Sequence, residues 1–442
     1  MLASNLFPQK AKNYLKHLPG AVAANIRFGF PSKRLFLIGV TGTDGKTSTS
    51  YLIHHLLGKN GYRTGLVTSV LAKIGDEEIS TGFHVTTPSP YKLQRFLAKM
   101  VNKKIEYAVL ETTSHAWDQF RLWGCRFKIG VLTNITPEHL DYHKNFQNYL
   151  KAKMNLLAAS DKLVANSDDQ SWEYVKKNFK KPTLSYGIGK QADIQAVSIC
   201  QKSRGISFIL VIKKGKHQGR YPVQTNLLGK FNVSNVLAAV SALLTLGQEP
   251  AKMLKSLPNF PGVIGRMEKI SNRKKIKVYI DFAHTPNGLK NALSTFKSIM
   301  PKNKRLIVVL GAAGLRDQSK RPLLGEFCAK IADYAVFTSE DPRSEDLELI
   351  IRQIAKGAAK IGWRRLSKKK TKRGRLVQRK GYLIEKNRQE AINLAIRYLA
   401  NKGDYVVCCG KGHERSMSFR KTEYLWSEHE AVEVALKGRR KR

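Results

Sequence analysis

No stretch of this chain is apolar for long enough to cross a bilayer as a helix, which takes about 20 consecutive apolar residues. Cysteine is scarce. The five residues (Cys125, Cys200, Cys328, Cys408 and Cys409) are odd in number and form no CxxC pair. That excludes a disulfide framework and a cysteine-based zinc site, and a reduced, cytoplasmic setting is expected. The N-terminal MLASNLFPQKAKNYLKHLPG carries scattered lysines and no continuous apolar core, so it does not read as a signal peptide. Acidic residues are also few: 33 Asp and Glu stand against 78 Lys and Arg, a formal net charge of +45. Such a charge suggests a polyanionic partner. The basic residues nevertheless run along the whole chain, with dense runs only in SKKKTKRGR (367–375) and the C-terminal GRRKR. Zinc-finger spacing and RNP-like aromatics are lacking, so no nucleic-acid partner is expected.

What is present is a globular composition, 442 residues with 42% hydrophobic side chains, enough for two or three cores. LFLIGVT (35–41) is an apolar run ending at glycines, and a helical pattern follows over 47–59. GLVTSV (65–70), YAVLETT (107–113), IGVLTNI (129–135) and KLVANSDD (162–169) are further short β-branched runs separated by helical stretches. Strands alternating with helices predict an α/β fold with a mostly parallel, doubly wound sheet. ISFILVIKKGKHQGRYPV reads as a hairpin, and TNLLGKFNVSNVLAAVSALLTLG as a loop entering a long apolar helix. A second alternation begins near 277 with KVYIDFA, RLIVVLGAAG, YAVFTSED and DYVVCCGKG. The expected organisation is a short N-terminal extension (1–34), a central domain (35–258) that its glycine loop GVTGTDGKTSTS marks as a P-loop-type ATPase domain, and a C-terminal Rossmann-like domain (259–442). The boundary lies where Pro and Gly cluster in LPNFPGVIGR, and the basic segment 365–380 is expected to be an exposed loop.

The stretch GVTGTDGKTSTS carries the first chemistry. Gly42 and Gly45 permit a tight turn whose N–H groups face phosphate oxygens, and the helix behind it adds its positive end. Lys46 would reach the phosphates and Thr47 a magnesium ion. Glu111, at the end of the strand YAVLE, stands where α/β sheets place ligands and could complete that ion's oxygen shell. NITPEHLDYH (134–143) gathers His139, Asp141 and His143 within five positions.

These segments, with ETTSHAWDQFR, YLKAK, LLGKFNVSNVLAA, PGVIGRME, DFAHTPNGL, GAAGLRDQSKRPLLGE, TSEDPRSED and GKGHE, resemble the ordered motifs of the Mur ligase family. The likeness runs from about residue 36 to about residue 435 and is greatest to the branch that adds the third amino acid to UDP-N-acetylmuramoyl-dipeptide. The family's loop, Gly-Thr-x-Gly-Lys-Thr, is met by Gly42 to Thr47. The resemblance implies an ATP-dependent amide ligase with an acyl-phosphate intermediate. Thr41, Gly42, Thr43, Asp44, Gly45, Lys46, Thr47 and Ser48 would bind ATP, together with Asn235, Arg266, Asp281 and His284 at the domain junction. Thr47 and Glu111 would hold one Mg²⁺. His139 would hold another with Lys153, a lysine the family carries as a carbamate. Thr86, Thr87, Thr113, Gln119 and Arg121 match positions that contact the muramoyl-peptide nucleotide. Arg316, Glu340, Asp341, Arg343, Gly410 and Glu414 fit the amino-acid pocket. Small-molecule substrates and a monomer are expected.

The chain departs from the family at several points. Val85 stands where an asparagine usually precedes the Thr-Thr pair, and Thr113 where serine is usual. Residues 1–34 are too few for the N-terminal domain that holds uridine diphosphate in this branch. The nucleotide would then be held differently or replaced, and a folylpolyglutamate-like ligase is the enzymatic alternative. A nucleic-acid-binding P-loop ATPase is the alternative of another class. Residues 340–343 read Glu-Asp-Pro-Arg where diaminopimelate ligases read Asp-Asn-Pro-Arg. Arg343 would pair with a carboxylate as the one retained cation of that motif, and Asp341 would answer a distal ammonium. A diamino acid is predicted, meso-diaminopimelate ahead of lysine.

Overall fold

The computed structural model describes residues 11, 13–82, 86–189, 191–374 and 380–438. The chain divides between Pro261 and Gly262 into two compact units.

The first unit is built on eleven strands: β1 (Phe36–Thr41), β2 (Thr64–Val67), β3 (Ala72–Ile74), β4 (Glu77–Ile79), β5 (Tyr107–Glu111), β6 (Phe127–Leu132), β7 (Ser160–Asn166), β8 (Thr183–Gly187), β9 (Ile194–Lys202), β10 (Gly205–Ile212) and β11 (Gly219–Thr225). They form one sheet in the order β11-β10-β9-β8-β7-β6-β1-β5-β2-β3-β4. The stretch from β9 to β2 is parallel throughout. Antiparallel pairs extend it at both edges. The expected hairpin is β10–β11, and it continues the main sheet. β1 pairs with β5 on one side and β6 on the other, so the order reverses at β1. In open α/β sheets the crevice beyond the strand ends at such a reversal is the ligand site.

Both faces of this sheet are apolar, because buried parallel strands have no solvent side. Leu37 shares one buried cluster with Phe96 and Leu97 of the helix Pro90–Asn102 and with Leu156 and Leu157 of the helix Phe146–Ala158. The helix Lys230–Thr245 is apolar almost all round and correspondingly buried, as Val233, Val236, Leu237, Val240 and Leu243 show. The described part of the 1–34 segment packs on elements of the first unit. Its helix Leu18–Arg27 contacts the helix Pro90–Asn102, Asn25 Nδ2 donates to the Trp123 carbonyl, and Ser32 Oγ to that of Gly124.

The second unit has a six-stranded sheet of β12 (Glu268–Ile270), β13 (Lys277–Asp281), β14 (Leu306–Leu310), β15 (Tyr334–Phe337), β16 (Gly381–Ile384) and β17 (Tyr405–Cys409), in the order β12-β13-β17-β14-β15-β16. All pairs but β12–β13 are parallel. A separate hairpin joins β18 (Ser416–Phe419) to β19 (Thr422–Leu425). One expectation fails here: the basic segment is not simply an exposed loop. Ser367 caps a short helix, Lys368–Lys372, whose Thr371 is buried, and Leu366 N donates to the Tyr382 carbonyl. The lysines face solvent while Leu366 and Thr371 anchor the backbone, so composition hid the buried positions. Residues 375–379 of that segment lie outside the described ones.

Candidate active site

In the first unit the strand ends of β1, β5 and β6 converge on the glycine loop. Gly42 has φ +150 and Gly45 φ +81, conformations that strain any side chain. Space forbids one too. A Cβ on Gly42 would sit 1.8 Å from Thr133 Oγ1, and one on Gly45 2.3 Å from Asn235 Oδ1. The loop is clamped by the turn after β6: Thr43 N donates to the Asn134 carbonyl (2.8 Å), Asp44 N to Asn134 Oδ1 (2.9 Å), and Thr133 Oγ1 to the Asp44 carbonyl (2.7 Å). Thr41 Oγ1 ties β1 to the Thr112 carbonyl. The helix Lys46–Lys59 starts at Gly45, with Ser48 half-buried in its first turn.

Thr47 is buried and its hydroxyl lies 3.0 Å from both Glu111 carboxylate oxygens. Ser69 N also donates to Glu111 Oε2, at 3.1 Å. Lys46 Nζ lies along the loop on the Thr43 carbonyl (2.8 Å). Lys153 is 2% exposed. Its Nζ donates to the Gly42 carbonyl (2.6 Å) and stands 4.6 Å from the Tyr149 ring centroid. Burial, and then the charge of Lys46, hold this amine well below the usual lysine range. His139 has φ +55 and packs its ring against His115 and Tyr149. Tyr149 therefore touches both His139 and Lys153, and its hydroxyl meets Thr43 Oγ1 at 2.9 Å. Among the described residues no three His, Cys, Asp or Glu side chains gather tightly enough to hold a metal alone. The hard oxygen donors Thr47 and Glu111 still suit Mg²⁺, whose shell normally includes phosphate and water.

A polar cluster adjoins this loop. Thr87 Oγ1 donates to the Glu111 carbonyl (3.1 Å), and the Thr87 carbonyl accepts from Arg121 Nη1 (2.6 Å). Gln119 Oε1 accepts from Arg121 Nε (3.0 Å) and Nη2 (2.6 Å). Thr113 caps the helix Ser114–Asp118 by accepting from Ala116 N, so a hydroxyl serves there as serine would. Thr86 is half-buried beside Thr87, Val85 lies outside the described residues, and Asn235 belongs to this unit, holding Thr49 and Asn232.

In the second unit, Arg266, Asp281 and His284 meet around Phe282. The Arg266 guanidinium is 4.2 Å from the Phe282 ring centroid, Asp281 accepts from Met267 N and Ala283 N, and His284 Nδ1 lies 2.9 Å from the Phe282 carbonyl. Beyond β15, Arg343 has φ +53 and donates from Nη1 to the Gly314 carbonyl (3.0 Å). Arg316 is exposed on the preceding loop.

Asp341 departs from expectation. Both its oxygens accept from Lys411 Nζ (2.9 and 3.0 Å), Ser418 N donates to it as well, and the same lysine reaches Glu414 Oε2 at 2.6 Å. Its charge is committed to Lys411, a cation from the GKGHE segment, so it does not stand ready for a substrate ammonium. Burial works against the Lys411 charge, but Glu414 and Asp341 outweigh it and raise its pKa. Glu340 is buried against Gly410; its Oε2 has no hydrogen-bond partner among the described residues, and burial, then Asp341, push the carboxyl up to about 7.

Sequence reasoning missed Thr133, Asn134 and Tyr149 at the loop and Lys411 in the second unit. For the first two a signal existed: they follow directly on β6, the strand beside β1. For Lys411 there was only its place inside GKGHE.

Two family models match the chain, the Mur ligase middle domain over residues 40–243 and the Mur ligase glutamate ligase domain over residues 265–412. The UDP-N-acetylmuramoyl-L-alanyl-D-glutamate–2,6-diaminopimelate ligase 1 of Clostridium acetobutylicum is 37% identical over 92% of this chain and 79% of its own length. The corresponding ligase of Bacillus velezensis is 37% identical over 89% of this chain and 76% of its own. A solved diaminopimelate ligase of that name superimposes with a TM-score of 0.61 at 29% identity, covering 91% of this chain and 78% of its own. The folylpolyglutamate synthase of Mycobacterium tuberculosis superimposes with a TM-score of 0.68, covering 89% of this chain and 92% of its own. At 16% identity that likeness is one of fold alone.

Proposed function

The chain belongs to the Mur ligase family, and we propose that it joins meso-2,6-diaminopimelate to UDP-N-acetylmuramoyl-L-alanyl-D-glutamate at the expense of ATP. The observation that carries this reading is the glycine loop with the Thr47–Glu111 pair beneath it, in a chain 37% identical over 92% of its length to a diaminopimelate ligase.

The reaction has two steps. The glutamyl carboxylate takes the γ-phosphoryl group of ATP, giving an acyl phosphate and ADP. The amine nitrogen of diaminopimelate then attacks the acyl carbon; the C–O bond to phosphate breaks, phosphate leaves, and the nitrogen loses a proton to give the amide. Both steps demand positioning and charge neutralisation more than acid–base chemistry. The backbone N–H groups from Gly42 to Thr47 would cradle the phosphates, and Lys46 would swing from the Thr43 carbonyl to reach them. Thr47 and Glu111 would hold Mg²⁺, which supplies positive charge to the transferring group. Asn235 would add to this site in the first unit, and Arg266, Asp281 and His284 are the second unit's own candidates for contact with ATP.

Lys153 fits carbamate formation for a physical reason. A buried amine held below the lysine range keeps the lone pair that attacks CO₂, and the product, after loss of one proton, is a carbamate anion. That anion beside His139 would serve a second Mg²⁺. Thr86, Thr87, Thr113, Gln119 and Arg121 would position the muramoyl peptide. Arg343 would receive a carboxylate of the amino acid, with Arg316, Glu340, Asp341, Gly410 and Glu414 shaping its surroundings.

The test is phosphate release from ATP with UDP-N-acetylmuramoyl-L-alanyl-D-glutamate and a panel of amino acids, with product mass determined. Release that requires both the nucleotide and diaminopimelate is expected. Release that needs neither, or that follows L-glutamate instead, overturns the reading.

A further inference from the structure

The helical turn Asn13–His17 carries no recognised motif, yet it lies on the cluster around Arg121. Asn13 is 2% exposed, and its Nδ2 donates to Asp118 Oδ2 at 2.8 Å. The same oxygen accepts from the Tyr142 hydroxyl at 2.6 Å, and that hydroxyl lies 3.5 Å from Gln119 Nε2. Gln119 is the residue that grips the Arg121 guanidinium. Tyr14 packs edge-on against Phe120 with ring centroids 5.1 Å apart.

Arg121 itself is half-buried and in need of an anion. Its three hydrogen bonds all go to neutral oxygens, two to an amide and one to a carbonyl. Among the described residues it has no carboxylate partner, and burial lowers its pKa. Withdrawing a guanidinium from water without a counter-charge is costly. A guanidinium has five N–H donors, so this one keeps capacity to spare, in a planar fork that suits a carboxylate or a phosphate.

We propose that the Asn13–His17 turn is a wall of the substrate site, where Asn13, through Asp118, Tyr142 and Gln119, positions Arg121 to take an anionic oxygen group of the muramoyl-peptide nucleotide. This rests on the ligase reading above. The group is either the diphosphate or a peptide carboxylate, which offer the same oxygen chemistry.

Calorimetric titration without ATP or amino acid tests it, using UDP-N-acetylmuramoyl-L-alanyl-D-glutamate and, separately, N-acetylmuramoyl-L-alanyl-D-glutamate. Losing a charge-assisted contact costs roughly tenfold or more in affinity. Asn13→Leu, of like size but without the amide, should therefore weaken nucleotide binding several-fold, whereas Asn13→Gln, which keeps the donor, should weaken it less. Loss confined to the nucleotide assigns the diphosphate, and equal loss with both probes assigns the carboxylate. Asn13→Ala should raise KM for the muramoyl substrate several-fold while KM for ATP and the melting temperature hold. Unchanged Kd values in Asn13→Leu and Asn13→Ala, or parallel shifts in every KM, overturn the proposal. Wild-type binding without ligation would defeat only the ligase reading; absence of binding to either probe would defeat both.

Discussion

Thr47 and Glu111 meet across the mouth of the first sheet, the hydroxyl 3.0 Å from each carboxylate oxygen, and 64 residues of chain separate them. The pair is prearranged because Thr47 opens a helix and Glu111 ends β5, adjacent to β1. Glu111→Gln keeps the size and loses the charge. It should cut kcat by on the order of a hundredfold, since one preorganised electrostatic contact to a reacting group is worth that much. It should also raise the Mg²⁺ concentration needed for half-maximal phosphate release. A variant with near-normal turnover and unaltered Mg²⁺ dependence would remove Glu111 from the metal site.

Lys153→Ala should abolish ligation while the fold survives, because it removes one side-chain hydrogen bond, to the Gly42 carbonyl, worth only about 1 kcal/mol to stability. Added bicarbonate should not help this variant, but a short carboxylic acid should restore part of the rate by replacing the carbamate anion. Mass spectrometry of native wild-type protein under CO₂ should show the extra 44 Da expected of a carbamate, roughly the mass of CO₂ itself, on Lys153. No mass gain together with no rescue would leave Lys153 as a loop anchor to Gly42.

Glu340 gives a pH signature. Its carboxyl is raised from 4.5 to about 7, so between those values the folded state holds a proton that the unfolded chain has released. The stability it contributes is complete below pH 4.5 and is lost as pH climbs through about 7. At about 1.4 kcal/mol per unit, the loss is of order 3 kcal/mol. Urea titrations at pH 5 and pH 8 should show a smaller fall for Glu340→Gln than for wild type. Parallel falls would place the carboxyl's titration elsewhere.

Arg343→Ala should raise KM for diaminopimelate by roughly tenfold or more while KM for ATP stays put, because the removed contact belongs to one ligand. Lys411→Met should behave differently. It strands the carboxylates of Asp341 and Glu414 in a buried site, and breaking such a network by removing one partner costs about 3–5 kcal/mol. Its melting temperature should drop sharply, and that of Arg343→Ala should not. If the two variants melt alike, the division between a ligand contact and a structural pair is wrong.

The sequence by itself determined what is local. A positive φ and a close approach demand glycine at 42 and 45, the alternation of apolar runs with helical stretches demands a parallel sheet, and motif order places strands and loops correctly. Tertiary structure alone decided the pairings. Asn13 meets Asp118 across 105 residues and Lys411 meets Asp341 across 70, and no periodicity connects such positions. The sheet order that seats β6 beside β1 puts Thr133 over Gly42. Burial, which depends on every neighbour at once, took Lys153 out of the ordinary lysine range and raised Glu340. Spacing encodes backbone conformation, whereas charge state and partnership follow from which distant segments exclude water together.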